Sequence, residues 1–212
     1  MKAQLRTLRS WFITTLFASS LYVVPAFAQT TPPVIIIPPP HTNTIGFNNL
    51  TGANLDPFLT YTEGDFTISS DSGSWFKAFS FGNPVPDIFL GPLQHPVTGV
   101  LRITDSVDRF VFTGFDFSSN NDNSSFEVEG FRGLTKIFDE TGSLTTPNFQ
   151  SYSSLSPTAD IDALLIHIFP GPFATSVNID NIRVTTIPEP SAVAFLAVGV
   201  IGLLAARRAG RR

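Results

Sequence analysis

The chain has 212 residues, 42% of them hydrophobic, with 21 phenylalanines and a formal charge of −4, enough apolar material for one cored domain. It contains no cysteine, which excludes disulfides, thiol catalysis and cysteine-ligated metals together. Charge is unevenly placed: over residues 29–187, six basic residues (Lys77, Arg102, Arg109, Arg132, Lys136 and Arg183) stand against sixteen Asp and Glu, giving −10. A domain of that sign repels phosphate backbones, so no nucleic acid is expected as a partner. Divalent cations and neutral polymers suit it better; solubility in an extracellular space is the other reading of the same charge.

At the N-terminus, Lys2, Arg6 and Arg9 precede an apolar stretch over 11–24, and Ala26-Phe27-Ala28 stands before Gln29. Basic region, apolar region and small-x-small site together predict a signal peptide over 1–28, cut after Ala28 by signal peptidase. Residues 29–43 form a Pro-rich leader in which Pro32, Pro33 and Pro38 to Pro40 surround Val34-Ile35-Ile36-Ile37. So much proline favours extended polyproline-like chain, to which the isoleucines can add a short edge strand.

From 44 to 187 short β-branched and aromatic runs recur between Gly, Pro, Asn, Asp and Ser clusters. Strands are predicted at 44–47, 58–62, 65–69, 75–81, 87–90, 97–104, 109–117, 125–131, 134–138, 149–153, 161–169 and 175–186. With no ten-residue helical stripe between them, the pattern implies an all-β domain of antiparallel sheets, a jelly-roll-like β-sandwich. Two runs change phase. Phe110 and Phe112 alternate, then Phe115 and Phe117 do so one residue out of step, with Gly114 at the slip. Val177 and Ile179 precede, and Ile182 and Val184 follow, a break at Asp180-Asn181. Each is the signature of a β-bulge. Residues 161–169 are apolar on both faces and read as a central strand buried on two sides.

The chain closes with Pro188-Glu189-Pro190-Ser191, an uncharged apolar run over 192–206, and Arg207, Arg208, Arg211 and Arg212. Prolines bar a helix from the first part, the second is expected to be a short transmembrane helix, and the arginines belong at cytoplasmic headgroups. Positive charge on the outer flank of both apolar ends places the region between them outside the cytoplasm. Fifteen residues make about 22 Å of helix, short of a ~30 Å hydrocarbon core, which suits a transient span better than a lasting one.

In order and spacing these three parts resemble the PEP-CTERM sorting signal. The resemblance implies recognition by exosortase, an integral-membrane transpeptidase-like protease of Gram-negative bacteria that make exopolysaccharide. It also implies an inner-membrane intermediate cut near 188–191, then a final place at the cell surface, outer envelope or extracellular matrix. The Gly82-Asn83-Pro84-Val85-Pro86 run and the closing Val-Asn-Ile-Asp-Asn-Ile-Arg-Val resemble the β-sandwich ectodomains that accompany such tails, a fold also used by carbohydrate-binding modules.

For catalysis the chain offers little: no Gly-x-Ser-x-Gly elbow, and His41, His95 and His167 each stand alone, the last read as a core or semi-buried residue. Glu127 and Glu129 share one face of one strand, roughly 6.5–7 Å apart by strand rise. Two calcium readings arise. Asp116, Ser118, Asn120, Asp122, Ser124 and Glu127 fall at oxygen-donor positions of a twelve-residue calcium loop, although a hairpin needs the same residue types for its turn. In related sandwiches an acid placed like Asp180 helps hold a structural calcium beside the first strand, where the partner here is Asn48. For sugars, Trp75, Tyr61 and Tyr152 are the candidate aromatic platform, with Asn83 and Asp87 nearby in sequence and burial in the core as the competing role of Trp75.

These readings converge on an exported, non-enzymatic sandwich with a structural or adhesive role in exopolysaccharide. A carbohydrate-binding receptor is the alternative, a glycan-active enzyme the third choice. Changing Pro188 and Pro190 together to alanine lets the helix run upstream and removes the extended recognition segment. Full-length, membrane-bound protein should then accumulate, as fractionation and intact mass would show. Processing identical to the wild type would refute the sorting reading.

Overall fold

Alternation of Val, Ile and Phe with Ser, Thr and Asp gives each run one apolar edge, and two sheets close over those edges. The computed structural model describes residues 41–91, 97–106, 109–144 and 147–187, all within the compact unit Ile35–Arg212. Among them are twelve strands: β1 (His41–Ile45), β2 (Thr60–Glu63), β3 (Phe66–Ser72), β4 (Trp75–Ala78), β5 (Asp87–Leu90) and β6 (Gly99–Asp105). The others are β7 (Arg109–Asn120), β8 (Ser124–Arg132), β9 (Thr135–Leu144), β10 (Gln150–Ser153), β11 (Ala163–Phe169) and β12 (Ser176–Ile187). The first sheet runs β10-β7-β12-β5-β4, with β1 also on β12; the second runs β2-β3-β6-β11-β8-β9. After β5 the chain passes repeatedly from one sheet to the other, and every named pairing is antiparallel. This is the expected jelly-roll-like sandwich.

The core lies between the sheets. From the first come Ile88, Leu90, Phe110, Phe112, Val177 and Val184; from the second, Phe66, Ile68, Leu101, Ile103, Leu164 and Ile166, all fully buried. Phe66 meets Phe110 edge-on at 5.3 Å, and Phe115 meets Phe126 at 5.2 Å, so rings interlock across the interface.

Both predicted phase breaks are present, and they face one another. Gly114 pairs with Arg183 where the β7–β12 register shifts, between Asp180 and Val184. Gly114 has φ 153°, and Asn181 takes the left-handed φ of 47° that asparagine tolerates. Beyond the break both faces of β7 and β12 are buried, apolar inward and polar outward.

Several expectations need correction. The 161–169 run is central in its sheet but buried on one face only; Leu165 and His167 on the other are half-buried. The strand expected over 75–81 ends at Ala78, because the chain leaves the sheet edge there to turn back through cis Asn83–Pro84 and Val85–Pro86 bonds. Leu134, expected to open a strand, sits fully exposed in the turn made by Gly133 (φ 56°), while β9 continues through a polar sequence to Leu144. β1 begins at His41, inside the stretch read as leader, and the chain turns away where Phe47 adopts φ 58°. Among the described residues no helix is long and apolar enough to cross a membrane; the signal peptide and the apolar run 192–206 lie outside those residues.

A Cβ on Gly114 would lie 2.1 Å from the Tyr152 carbonyl oxygen, whereas one on Gly64 (φ 61°) would meet nothing within 4 Å. Gly114→Ala should therefore cost about 3 kcal/mol, or roughly 6–12 °C of melting temperature, from steric and backbone strain together. Gly64→Ala bears only the backbone part, about 1 kcal/mol. Thermal unfolding of the two variants side by side checks the difference.

Candidate functional site

The outward face of the first sheet, beyond the phase break, carries the polar residues that the fold buries. Antiparallel register sets them in rows. Asp180 stands opposite Asp116 on β7, and Asn178 stands between Ser118 on β7 and Phe89 on β5. The β5 register, carried one step further from the Ile179–Ile88 pair, brings Asp87 opposite Asp180 on its other side. Three carboxylates thus form one row across β7, β12 and β5: Asp116, Asp180 and Asp87 are 5%, 0% and 0% exposed.

Each is treated differently. Asp116 accepts from Arg183 Nη1 at 2.7 Å, Ser151 Oγ at 2.6 Å and Asn181 Nδ2 at 3.0 Å. Burial alone would raise its pKa, but the bonds from Ser151, Arg183 and Asn181 outweigh burial and hold the group below the ordinary carboxylate range. Asp180 accepts one amide on each oxygen, Asn83 N–H and Asn181 N–H, both at 2.7 Å. Burial nevertheless lifts it to about 6, with Asp116 and Glu63 adding repulsion. Neither oxygen of Asp87 has a hydrogen-bond partner on another residue. Burial first, then the charge of Asp180, pushes Asp87 up to about 9, offset only in part by its own amide.

The segment 79–86 closes over this row. Asn83 donates its amide to Asp180 and its Nδ2 to Asp116 at 3.3 Å, and its carbonyl accepts from Asn181 Nδ2. The same segment then walls a groove of about 260 Å³ further along the face. The floor of the groove is Asn178, Asn120, Ser176 and Phe89; Asn54, Ser80 and Phe81 line its side. Asn120 donates to Ser176 Oγ at 2.7 Å, and Asn178 to Ser118 Oγ at 2.9 Å, which fixes both amides. Phe81 is 39% exposed and stacks on Phe149 at 5.3 Å. No charged side chain is among the lining residues.

The sequence-predicted aromatic platform does not form. Trp75 faces inward, 2% exposed, and its Nε1 donates to the Ser72 carbonyl. Tyr61 packs on Phe47 and donates to Glu63; Tyr152 packs on Phe126 and donates to Glu140. These three rings lie apart, each committed to the core or to a carboxylate. The twelve-residue calcium loop does not form either. Asp116 and Ser118 lie in extended β7 and Glu127 in β8 of the other sheet, while Asp122 accepts from the amides of Asn123 and Phe173. An extended strand rises about 3.3 Å per residue, so it cannot wrap donors around one ion.

The other calcium reading pairs Asp180 with Asn48. Asn48 lies near Asn181, since a Cβ on Gly46 between them would be 2.9 Å from Asn48 Nδ2 and 3.4 Å from Asn181 Oδ1. On its other side Asp180 stands beside Asp87, whose two oxygens are buried without a bond from another residue. Sequence reading names Asp87 only as a polar neighbour of the aromatic platform, because it opens a strand like any turn acid. Glu127, Glu129 and Asp139 bring ligand atoms within 4.8 Å of one another on the outer face of the second sheet. There Lys136 pairs with Glu129 and Asp139, and His167 Nε2 lies 2.9 Å from Glu129. His95 and the side chain of His41 lie outside the described residues, as do the signal-peptide site at Ala26 and Ala28 and the whole 188–212 tail.

β12 ends at Ile187, directly before the proline motif. Residues 186–212 match the family of PEP-CTERM protein-sorting motifs. This chain carries a PEP-CTERM sorting motif. No curated protein matches the chain in sequence. Among solved structures it is similar to a DUF4465 family protein from Bacteroides caccae, at 8% identity and TM-score 0.47, covering 69% of this chain and 100% of that one. It is also similar to a family 29 carbohydrate-binding module from Piromyces equi, at 12% identity and TM-score 0.41, covering 70% and 91%. A third likeness is to a family 61 carbohydrate-binding module in complex with β-1,4-galactotriose, at 8% identity and TM-score 0.39, covering 57% and 88%.

The acidic row fixes a pH dependence. Asp87 and Asp180 bind protons more tightly folded than unfolded, so stability falls as pH rises from the ordinary carboxylate range through about 6 and on to about 9. Asp116 and Glu140, shifted down, act the other way and lose their contribution only in acid. In chelator, the melting temperature should decline between pH 6 and 9, and Asp87→Asn should flatten that decline. A wild-type profile level over this range would contradict the burial of Asp87 as a lone acid.

Proposed function

We propose that this exported protein is a non-enzymatic glycan-binding sandwich, carried to the cell surface by its PEP-CTERM motif after exosortase processing, where it adheres to exopolysaccharide. The observation that carries this reading is the groove on the first sheet. Fixed amides and hydroxyls from Asn120, Asn178, Ser176 and Ser80 meet sugar hydroxyls, and the exposed ring of Phe81 offers a flat apolar surface to the C–H face of a pyranose. An uncharged lining favours neutral polymers, since an acidic sugar would enter a domain of charge −10 with no cation among the lining residues.

Holding rather than cleaving is favoured by where the acids lie. Asp87, Asp116 and Asp180 are buried beneath the segment 79–86, and Glu127 and Glu129 lie on the opposite sheet, Glu129 engaged with Lys136 and His167. Neither set faces a groove in which a glycosidic bond would lie between two carboxylates.

Affinity electrophoresis through gels of neutral polysaccharides, with a polyuronate gel for comparison, tests the reading. At least one neutral polymer should retard the mature protein, and the polyuronate should not. Phe81→Ala should weaken retention about tenfold, roughly 1.4 kcal/mol of stacking, and Asn120→Ala by a similar factor. Both variants should melt within a few degrees of the wild type. Equal mobility in every gel, or binding that Phe81→Ala leaves intact, would defeat the proposal.

A further inference from the structure

We infer that the end of the sandwich from which β12 leaves rests on the lipid bilayer while the tail is inserted, with Leu134 at the tip of the β8–β9 turn entering the headgroup layer. This rests on the reading of residues 192–206 as a membrane-spanning run and adds where the folded domain then lies.

Register brings the exit and the turn together. Ile187 stands opposite Arg109, Phe110 bridges to Ile161, Ala163 stands opposite Phe131, and Arg132 stands opposite Thr135. The exit of β12 and the β8–β9 turn therefore lie at one end of the sandwich. A shared set of ion pairs joins them, since Asp160 takes Arg109 at 2.6 Å and Arg132 at 2.8 Å. Beyond Ile187 only Pro188-Glu189-Pro190-Ser191 precede the apolar run, which opens at Ala192. Five steps of fully extended chain reach at most about 18 Å. The six strands of the second sheet span ~24 Å, so an inserted tail holds this end within less than its own width of the headgroups.

The turn itself is the second support. Gly133 and Leu134 form a two-residue connection in which Gly133 takes φ 56°. The β2–β3 connection, at the same end, has the same form: Gly64 at φ 61°, then Asp65. Turn chemistry accounts for both glycines, but not for leucine after one of them where an acid serves after the other. Leu134 is fully exposed, two residues from Arg132 and two from Lys136. Ile137 on β9 is 40% exposed, and Leu155, whose amide bonds Glu140 of the same strand, is 80% exposed. One exposed leucine is ordinary. Three apolar side chains along one edge, starting at the end that carries the tether, mark a contact surface.

Charge divides this end in the same sense. Asp65 follows β2, and Asp105 closes β6. On the β8–β9 side Asp160 is matched by two arginines, Asp162 accepts the Gly133 amide, and Lys136 pairs with Glu129 and Asp139. Sheet order keeps β3 and β9 four strand spacings apart, about 19 Å. An anionic headgroup layer repels the first side and not the second, so the domain leans on its β9 edge. There Leu134 gains by apolar burial at the headgroup–acyl boundary, while the long side chains of Arg132 and Lys136 keep their charged ends among the phosphates. The proline motif is then held at the depth where an integral-membrane protease meets it.

The chain has no cysteine, so one introduced cysteine carries one label. With the tail intact and the chain in nanodiscs of phosphatidylethanolamine and phosphatidylglycerol, a fluorophore on Thr135→Cys should be quenched roughly twofold or more by brominated acyl chains. On Phe173→Cys, at a 77% exposed position beside the β7–β8 turn of the opposite end, it should not be quenched. On Ala197→Cys it reports whether the tail itself is inserted. Adding Leu134→Asp to the Thr135→Cys chain should remove the quenching and leave the melting temperature unchanged, since Leu134 is fully exposed. Quenching at 197 without quenching at 135 would overturn the inference and leave the tail reading standing; loss of both would overturn the two together. Quenching at 135 that survives Leu134→Asp would mean that the short tether alone brings this end close. Quenching that needs exosortase in the same nanodisc would assign the surface to a protein. Either result would overturn the inference.

Discussion

The structure depends on one registration: β7 and β12 slip phase opposite each other, at Gly114 and at Asp180–Asn181. A single bulge would leave its partner strand pointing apolar residues at solvent, because a one-residue shift swaps the faces of everything beyond it. Two facing bulges restore agreement, so Phe110 and Val184 on one side of the slip, and Phe117 and Val177 on the other, all reach the same core. Glycine at 114 is required by close approach, with the Tyr152 carbonyl where a side chain would begin. Arg183 then reaches over that bare backbone to bond the Tyr152 and Phe115 carbonyls and the Asp116 carboxylate. The slip creates the room, and the arginine occupies it.

Past the slip, the outward face holds a polar layer that can be buried only where its hydrogen bonds are satisfied. Ser118 and Asn178 bond each other, and Asp116 bonds Ser151 and Arg183. The groove and the acidic row are neighbouring rows of this layer. Asn178 and Asp180 lie two residues apart on β12, about 6.6 Å by strand rise. One row keeps neutral amides beside open space; the other carries acids and is covered. The same segment covers the second and walls the first, so the chemistry of the face is divided by where 79–86 crosses it.

Much of this was legible in the sequence. Strand number and approximate bounds come from apolar alternation between turn residues, and both bulges were visible as phase changes because phenylalanine and β-branched residues mark the buried side so clearly. Polar edges were not legible: β9 continues through Asp139-Glu140-Thr141-Gly142-Ser143 because β8 pairs with it, not because of its own pattern. The site residues divide along the same line. Asp180 and Asp116 were singled out, the one from its place at a bulge and the other for the wrong reason, as part of a loop that is a hairpin. Asp87 was not. Its role comes from two strands about 90 residues apart in chain order lying side by side, which no local window contains. The aromatic reading failed because ring type was weighed without facing. Trp75 and Tyr152 have core partners within reach, whereas Phe81, one of 17 phenylalanines over 29–187, owes its exposure to the departure of the chain from β4.

The sorting motif and the sandwich are joined through the strand best able to bear the connection. β12 is bonded on both edges, to β7 along its length and to β1 and β5 in succession, and it supplies Val177, Ile179, Ile182 and Val184 to the core. The family match begins at residue 186, inside this strand. At 185 and 186 the backbone is paired to β1 on one side and β7 on the other. Paired on both edges at this end, β12 has no free edge there from which its ladder bonds could open one at a time. A terminal edge strand such as β4 or β10 would peel. The bulge that organises the polar face lies some seven residues inside this end, so the doubly paired stretch stands between the sorting motif and both the row of acids and the groove beside it.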